Sequence, residues 1–204
     1  MNKSGIVIQC HIPSSRLYGK ILKVVDRFTI LERVLDTCTL AGFDKVIVAT
    51  TTAPENLVLI DIIKEYNETW HDNVILYRYN GSESDLLSRY YAASKEYKLD
   101  QICRICSDSP LLSTDLIYLC SQAFKYTAAD VVDFMAVDGL EVQITNFKTL
   151  EDAYNNAKFD YQKEHVFNYM YEHPEKFKIV HLEDLKISVD EESDLQRVRE
   201  ICQR

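Results

Sequence analysis

Two hydroxyls and two cations lie just past the first apolar run of the chain, where IVI gives way to QCHIPSSRLYGK with Ser14, Ser15, Arg16 and Lys20. A guanidinium grips a phosphate through a bidentate fork, an ammonium meets it as a point charge, and backbone amides around the serines add donors. These residue types, placed where a strand hands over to a helix, suit recognition of a phosphorylated ligand. Solvated loop charges are the ordinary alternative. Polar clusters also follow the later apolar runs: Thr50 to Thr52, Ser82 to Asp85, and Ser107, Asp108 and Ser109. Aspartates such as Asp108, or Asp190 at the end of KISVD, ordinarily serve as turn or helix-cap residues. Two carboxylates from distant sequence that meet one anionic ligand make sense chiefly with a hard cation between them.

Alternating elements must position these clusters. GIVIQC reads as a buried strand, and a helix follows from about Phe28 with Leu31, Val34, Leu35 and Cys38 on one face. KVIVATT, NVILYRY and DQICRICS continue as strands, separated by helices over Ala53 to Tyr66 and Asp85 to Tyr97. Helix-sized connections favour parallel pairing, so the pattern predicts an α/β, doubly wound, mostly parallel sheet. Ser113 or Thr114 begins another helix, ADVVDFM adds a fifth strand, and GLEVQITN follows too soon for a crossover, which predicts a late antiparallel addition. Helices near Phe147 to Ala157 and Glu164 to Tyr171 precede a closing pair of strands, FKIVHL and LKISVD, and a last helix through Leu195, Val198 and Ile201. With 204 residues and no visible linker, the chain reads as a single domain over 1–204. In such sheets ligands bind outside the carboxyl ends of the strands, where the polar clusters fall.

A formal charge of −9 argues against a generic nucleic-acid binder, which relies on many cations spread over a surface. An anionic ligand must then be met by local cations or by metal. Neither a Rossmann G-x-G-x-x-G nor a Walker G-x-x-x-x-G-K-[ST] is present, which argues against dinucleotide oxidoreductases and P-loop NTPases. The chain shows no apolar stretch of membrane-spanning length and too short an initial apolar run for a signal peptide, so the expectation is a cytoplasmic protein without membrane association. Its six cysteines then read as reduced, mostly packed thiols. The C-x-x-C of CRIC lies in a strand, where positions three apart face opposite sides, and reads as packing. Tyr77, Tyr79, Tyr90, Tyr91 and Tyr97 read as packing residues too.

SSRLYGK resembles the S-T-R-L-P-G-K loop of the CTP-dependent cytidylyltransferases that make CMP-activated acidic sugars, with the closest likeness to the spore-coat polysaccharide biosynthesis (SpsF) branch. Further similar segments follow in order: KVIVATTT, SDLLSRYYAA, RICSDSPLL, GLEV, EHVFNYMYEHPEKF and SVDEESDLQRV, spanning most of the chain. The sequence departs from the family's loop at Cys10, His11, Ile12, Pro13 and Tyr18, and the stretch between Asp133 and Gly139 is shorter.

The resemblance implies a Rossmann-like nucleotidyltransferase fold of GT-A type. It implies transfer of CMP from CTP to an acidic sugar or related surface-glycan precursor, with release of pyrophosphate. Arg16, Lys20 and Asp108 would be the catalytic residues. Ser14, Ser15, Arg16, Lys20, Thr50, Thr51, Ser82, Asp85 and Arg104 would bind the nucleotide, and Glu141 and His165 the acceptor. Asp108, matching a D-x-P motif, and Asp190 would hold Mg²⁺. A homodimer is implied, with NVILYRYN and GLEVQITN offering apolar surface. A non-catalytic nucleotide-binding relative and a GT-A-type glycosyltransferase remain open alternatives.

Overall fold

The computed structural model describes residues 3–70, 72–185 and 192–201. In chain order its elements begin β1 (Ser4–Gln9), β2 (Val24–Val25), β3 (Phe28–Thr29), α1 (Ile30–Thr39), β4 (Lys45–Thr51), α2 (Val58–Trp70), β5 (Ile75–Tyr79), α3 (Leu86–Glu96) and β6 (Gln101–Cys106). They continue with α4 (Thr114–Thr127), β7 (Val131–Phe134), β8 (Val142–Asn146), α5 (Phe147–Asn156), α6 (Asp160–Glu164), α7 (Asn168–Tyr171), β9 (Ile179–His181) and α8 (Glu192–Ile201). Seven strands form one sheet in the order β5, β4, β1, β6, β8, β7, β9. Strand β8 is antiparallel to both of its neighbours, while the pairs β5/β4, β4/β1, β1/β6 and β7/β9 are parallel. The short β2 and β3 make a separate antiparallel pair.

Both faces of the sheet are covered, which is why its strands read as near-continuous apolar runs. Alternate residues feed two cores. Ile6, Ile8, Val48, Cys103 and Ile105 pack with Leu31, Val34 and Leu35 of α1 and Ile117 of α4 on one side. Val7, Ile47, Ala49 and Ile102 pack with Leu87 and Tyr90 of α3, Leu150 of α5 and Met170 of α7 on the other. The predicted face of α1 is buried as the spacing required. Its start is Ile30 rather than Phe28, because Thr29 caps it: the Thr29 hydroxyl accepts from Glu32 N at 3.1 Å and Glu32 answers at Thr29 N at 2.6 Å.

The structure corrects three expectations. The segment from Ala53 opens with a 3₁₀ turn at Pro54–Asn56, and α2 runs on to Trp70. The helix expected over Glu164 to Tyr171 is two short ones, since His165 leaves the helical region at φ −111° and ψ 93°. GLEVQITN does contain an antiparallel strand, but β8 lies between β6 and β7 with Val142 to Thr145 buried, so it offers no surface for self-association. NVILYRYN does supply an edge strand, β5. Most of LKISVD, residues 186–190, lies outside the described residues. Among the described residues no helix is long and apolar enough to cross a membrane.

The five described cysteines are free, and Cys10, Cys38, Cys103 and Cys120 are buried. Burial pushes the Cys10 thiol up to about 12, as expected for a packed, protonated group. Of the tyrosines read as packing, Tyr90 is fully buried with its hydroxyl donating to Val7 O at 3.0 Å, and Tyr77 meets Tyr97 edge-on.

Candidate functional site

Parallel pairing in register brings the ends of neighbouring strands level. Gln9 at the end of β1 is opposite Cys106 at the end of β6, so the loops that follow both strands start side by side. The first loop is tied at its base and open at its tip. Gly19 N donates to Ile12 O at 3.1 Å, closing the loop, and buried Ile12 and Ile21 anchor its two feet. Gly19 has φ +62°, in the left-handed region that favours glycine, and it launches the turn that carries Lys20. Between the feet, Ser15, Arg16, Leu17 and Tyr18 are exposed. Arg16 makes no hydrogen bond or ion pair within the described residues. Its guanidinium is therefore available to a ligand.

Asn56, fully buried in the turn after β4, ties three loops together. Its side-chain oxygen accepts from Ile12 N at 2.9 Å, and its nitrogen donates to Thr51 Oγ1 at 3.0 Å and to Glu83 Oε1 at 2.7 Å. Glu83 also accepts from the Thr51 hydroxyl and pairs with the buried Arg89 guanidinium at 3.4 Å. The loops after β1, β4 and β5 are thus fixed against one another through a single amide.

The loops after β1, β5 and β6, with Glu164 and His165 at the end of α6, border a cleft of about 480 Å³ at the carboxyl ends of the strands. Arg16, Lys20, Arg104, Asp108 and His165 line it together with Gln9, His11, Glu83, Ser107 and Glu164. The Lys20 ammonium is ion-paired with the Asp108 carboxylate across the cleft, with side chains 24% and 37% exposed. Arg104 is held at the back. Its Nε donates to Gln9 Oε1 at 3.0 Å, Nη1 to Gln143 Oε1, and Nη2 to Cys106 Sγ at 3.6 Å. Arg104, Cys106 and His165 also line an adjoining cavity of about 190 Å³ that contains Glu141, Gln143 and Tyr171.

The electrostatics of the cleft are mixed. Desolvation pulls the His11 imidazole below its usual range, and Arg89 and Lys20 act in the same direction while Glu83 opposes them. His11 is thus biased towards the neutral form. Burial raises the Cys106 thiol despite the neighbouring Arg104, which disfavours its thiolate.

The structure thus gathers Arg16, Lys20, Asp108, Arg104 and His165 in one cleft and sets Glu141 in the adjoining cavity, where its Oε2 accepts from Gly139 N at 2.9 Å. The other expected residues stand apart from the lining. Ser14 accepts from Leu17 N at 3.4 Å within its loop, and Ser15 is exposed at the tip. Thr50 is fully buried, and Thr51, 1% exposed, serves the Asn56 and Glu83 ties. Asp85 caps α3, accepting from Ser88 N at 3.0 Å, and Ser82 pairs with Ser84 at 2.8 Å in the turn before it. Asp190 lies outside the described residues. Asn56 and Gln143 went unnoticed in the sequence, because neither belongs to a charged or hydroxyl cluster after a strand. Glu83 lay inside the Ser82 to Asp85 cluster and was legible only as part of it.

Among the described residues no group of three His, Cys, Asp or Glu side chains converges as a metal cage. The donor chemistry around Asp108, a carboxylate paired with Lys20 and sharing the cleft with Arg16, instead fits a Mg²⁺ that arrives on a polyphosphate. That ion keeps several waters and is commonly held by one or two carboxylates plus substrate phosphates. Asp108 is the residue present that suits the role.

The comparisons with known proteins point the same way as the geometry. An uncharacterized protein of Methanocaldococcus jannaschii is 36% identical over 166 residues, covering 78% of this chain, and the match spans 63% of that protein's length. A solved cytidylyltransferase from Leptospira borgpetersenii superposes with a TM-score of 0.78 at 28% identity, covering 96% of this chain and 84% of the other. A CMP:2-keto-3-deoxy-manno-octonic acid synthetase, solved in complex with CTP, shares the fold with a TM-score of 0.64 at 15% identity and 97% coverage of both chains. The cytidylyltransferase family model matches residues 6–203, taking in most of β1, the loop with Arg16 and Lys20, Asp108 and the helices behind the cleft. On that match the chain belongs to the cytidylyltransferase family.

Proposed function

We propose that the chain is a Mg²⁺-dependent cytidylyltransferase that transfers CMP from CTP to an acidic sugar or a related surface-glycan precursor, as in the spore-coat polysaccharide branch of the family. The observation that carries this reading is the convergence of Arg16, Lys20 and Asp108 in one cleft at the carboxyl ends of the parallel strands. Lys20 and Asp108 hold one another across the cleft, and a triphosphate would compete for the ammonium while leaving the carboxylate to a cation. Mg²⁺ on the phosphates would supply charge neutralisation, with Asp108 its protein ligand and Asp190 the second candidate.

Arg16 and Lys20 would bind the triphosphate and stabilise charge on the leaving pyrophosphate. An acceptor oxygen in the adjoining cavity, near Glu141 and His165, would attack the α-phosphorus in line. The new bond joins CMP to the acceptor as the α–β bridge breaks. The nucleophile is the acceptor itself. The charge of −9 makes local cations and metal the only counterweight to a triphosphate. Self-association as a homodimer belongs to the same proposal, supported by the exposed Val24, Tyr18 and Leu17 and by the edge position of β5.

The test is a thermal-shift panel of CTP, UTP, ATP and GTP with Mg²⁺, followed by pyrophosphate release from the preferred nucleotide with a set of acidic sugars. CTP should stabilise the protein most, and pyrophosphate should appear only with an acceptor. Stabilisation by a purine nucleotide alone would overturn the reading. CTP binding without release with any acid sugar would favour a non-catalytic relative, and consumption of a preformed nucleotide sugar a glycosyltransferase.

A further inference from the structure

Four strands carry one row of directly opposed polar residues: Arg104 on β6 faces Gln143 on β8, Gln143 faces Asp133 on β7, and Asp133 faces His181 on β9. Opposed residues point to the same face of a sheet. Tyr171 of α7 joins the row on that face. Asp133 is fully buried and Gln143 is 4% exposed, so this is a charged and amide-bearing line inside the protein. Such a line costs more than apolar packing unless every member is paired.

Every link is made, and the links have a direction. A carboxylate only accepts hydrogen bonds. Tyr171 must therefore donate to Asp133 Oδ2, which leaves the tyrosine oxygen as an acceptor. Gln143 must turn its amide nitrogen to that oxygen, at 2.7 Å, and its own oxygen then faces Arg104 Nη1 and accepts from it. On the far side His181 Nδ1 stands 2.7 Å from Asp133 Oδ1 and must donate too. Reversing the link between Tyr171 and Gln143 would set the amide N–H of Gln143 against the N–H of Arg104. With Gln9 and Cys106 as its other contacts, the guanidinium is locked at the junction of the cleft and the adjoining cavity and retains N–H bonds for a ligand.

We infer that Asp133 is a positioning residue: its buried carboxylate sets the direction of a hydrogen-bond chain through Tyr171 and Gln143 that orients Arg104 in the cleft. Asp133 itself lies outside the cleft lining and acts through the other residues. The ligand side of the inference rests on the nucleotide site proposed above, while the chain stands without it.

The polarity makes a specific test. Asparagine at position 133 can donate, so Asp133→Asn frees the chain to run either way. Adding Gln143→Glu supplies an acceptor at the other end: the asparagine donates to the tyrosine, the tyrosine donates to the new glutamate, and the glutamate still accepts from Arg104. The readout is the exchange of the Arg104 guanidinium protons by NMR in the nucleotide-free protein, assigned with Arg104→Lys, together with CTP affinity by calorimetry. Asp133→Asn should speed that exchange about tenfold, the equivalent of one lost hydrogen bond, and weaken CTP binding. The double variant should restore both. Gln143→Glu alone, which sets two carboxylates on a tyrosine with one proton, is the control: a new carboxylate that merely ion-paired with Arg104 would slow the exchange in the single variant as much as in the double one. Where Asp133→Asn does not fold, Tyr171→Phe removes one oxygen from the chain and should loosen Arg104 alike. Unchanged guanidinium exchange in Tyr171→Phe, or no recovery in the double variant, would overturn the inference. A wild type that binds no CTP would instead remove the nucleotide reading, with the NMR result still deciding the chain.

Discussion

The loop from Ile12 to Gly19 and the row from Arg104 to His181 hold their polar side chains on opposite terms. In the loop, backbone and apolar feet are fixed while Arg16 stays in water without a partner among the described residues. In the row, Gln143 and Asp133 are buried, Tyr171 is half-buried, and each is paired. The loop leaves its hydrogen-bonding capacity for a ligand, so its side chains should govern binding and contribute little to folding. The row spends that capacity within the fold, so its side chains should govern stability and the precision with which Arg104 is presented.

Substitutions can break or sharpen this contrast. Asp108→Asn should give the largest effect, a loss of turnover of about 10²- to 10³-fold from weakened transition-state charge stabilisation. Its thermal midpoint should hardly move, because the ion pair it loses with Lys20 is partly exposed. Pyrophosphate release against Mg²⁺ concentration checks this, and normal turnover would make Asp108 a turn residue. Next, Asp133→Ala should cost about 2 kcal/mol in urea unfolding, since Tyr171 and His181 both lose their acceptor. An unaltered midpoint would erase the distinction between the two regions. Arg16→Ala should weaken CTP binding about tenfold by calorimetry while leaving the unfolding midpoint in place. A destabilised variant with full CTP affinity would reverse the roles assigned here.

The smallest effect concerns pH. The hydrogen bond to Asp133 raises the His181 imidazole above its usual range, desolvation opposes it, and the Asp133 charge reinforces it. A raised folded value means that the pair's stabilisation is complete below the unfolded imidazole value of about 6.5 and fades as pH rises through the folded one. Its ring is 47% exposed, and solvent screening keeps the contribution below about 0.5 kcal/mol. The stability gap between wild type and His181→Gln should therefore shrink with rising pH. A gap that widens would show that the pair is not the charged one.

Local pattern was sufficient for the parallel half. The apolar runs GIVIQC and KVIVATT, helical spacing at Leu31, Val34, Leu35 and Cys38, and polar clusters after the strands each depend on neighbours a few residues away. Arg16, Lys20 and Asp108 were therefore legible as occupants of one strand-end region, and the cleft brings them together. Periodicity says which face a residue takes and leaves open which strand lies beside it. Only the tertiary structure decided that β8 enters between β6 and β7, and with that the opposed row of Arg104, Gln143, Asp133 and His181. Asn56 was invisible for the same reason, since its partners lie in loops 44 and 27 residues away. The sequence by itself determined the strands, the helices and the chemistry carried at their ends. Register between distant strands, settled by burying both faces of the sheet at once, decided which side chains meet and which of them remain free for a ligand.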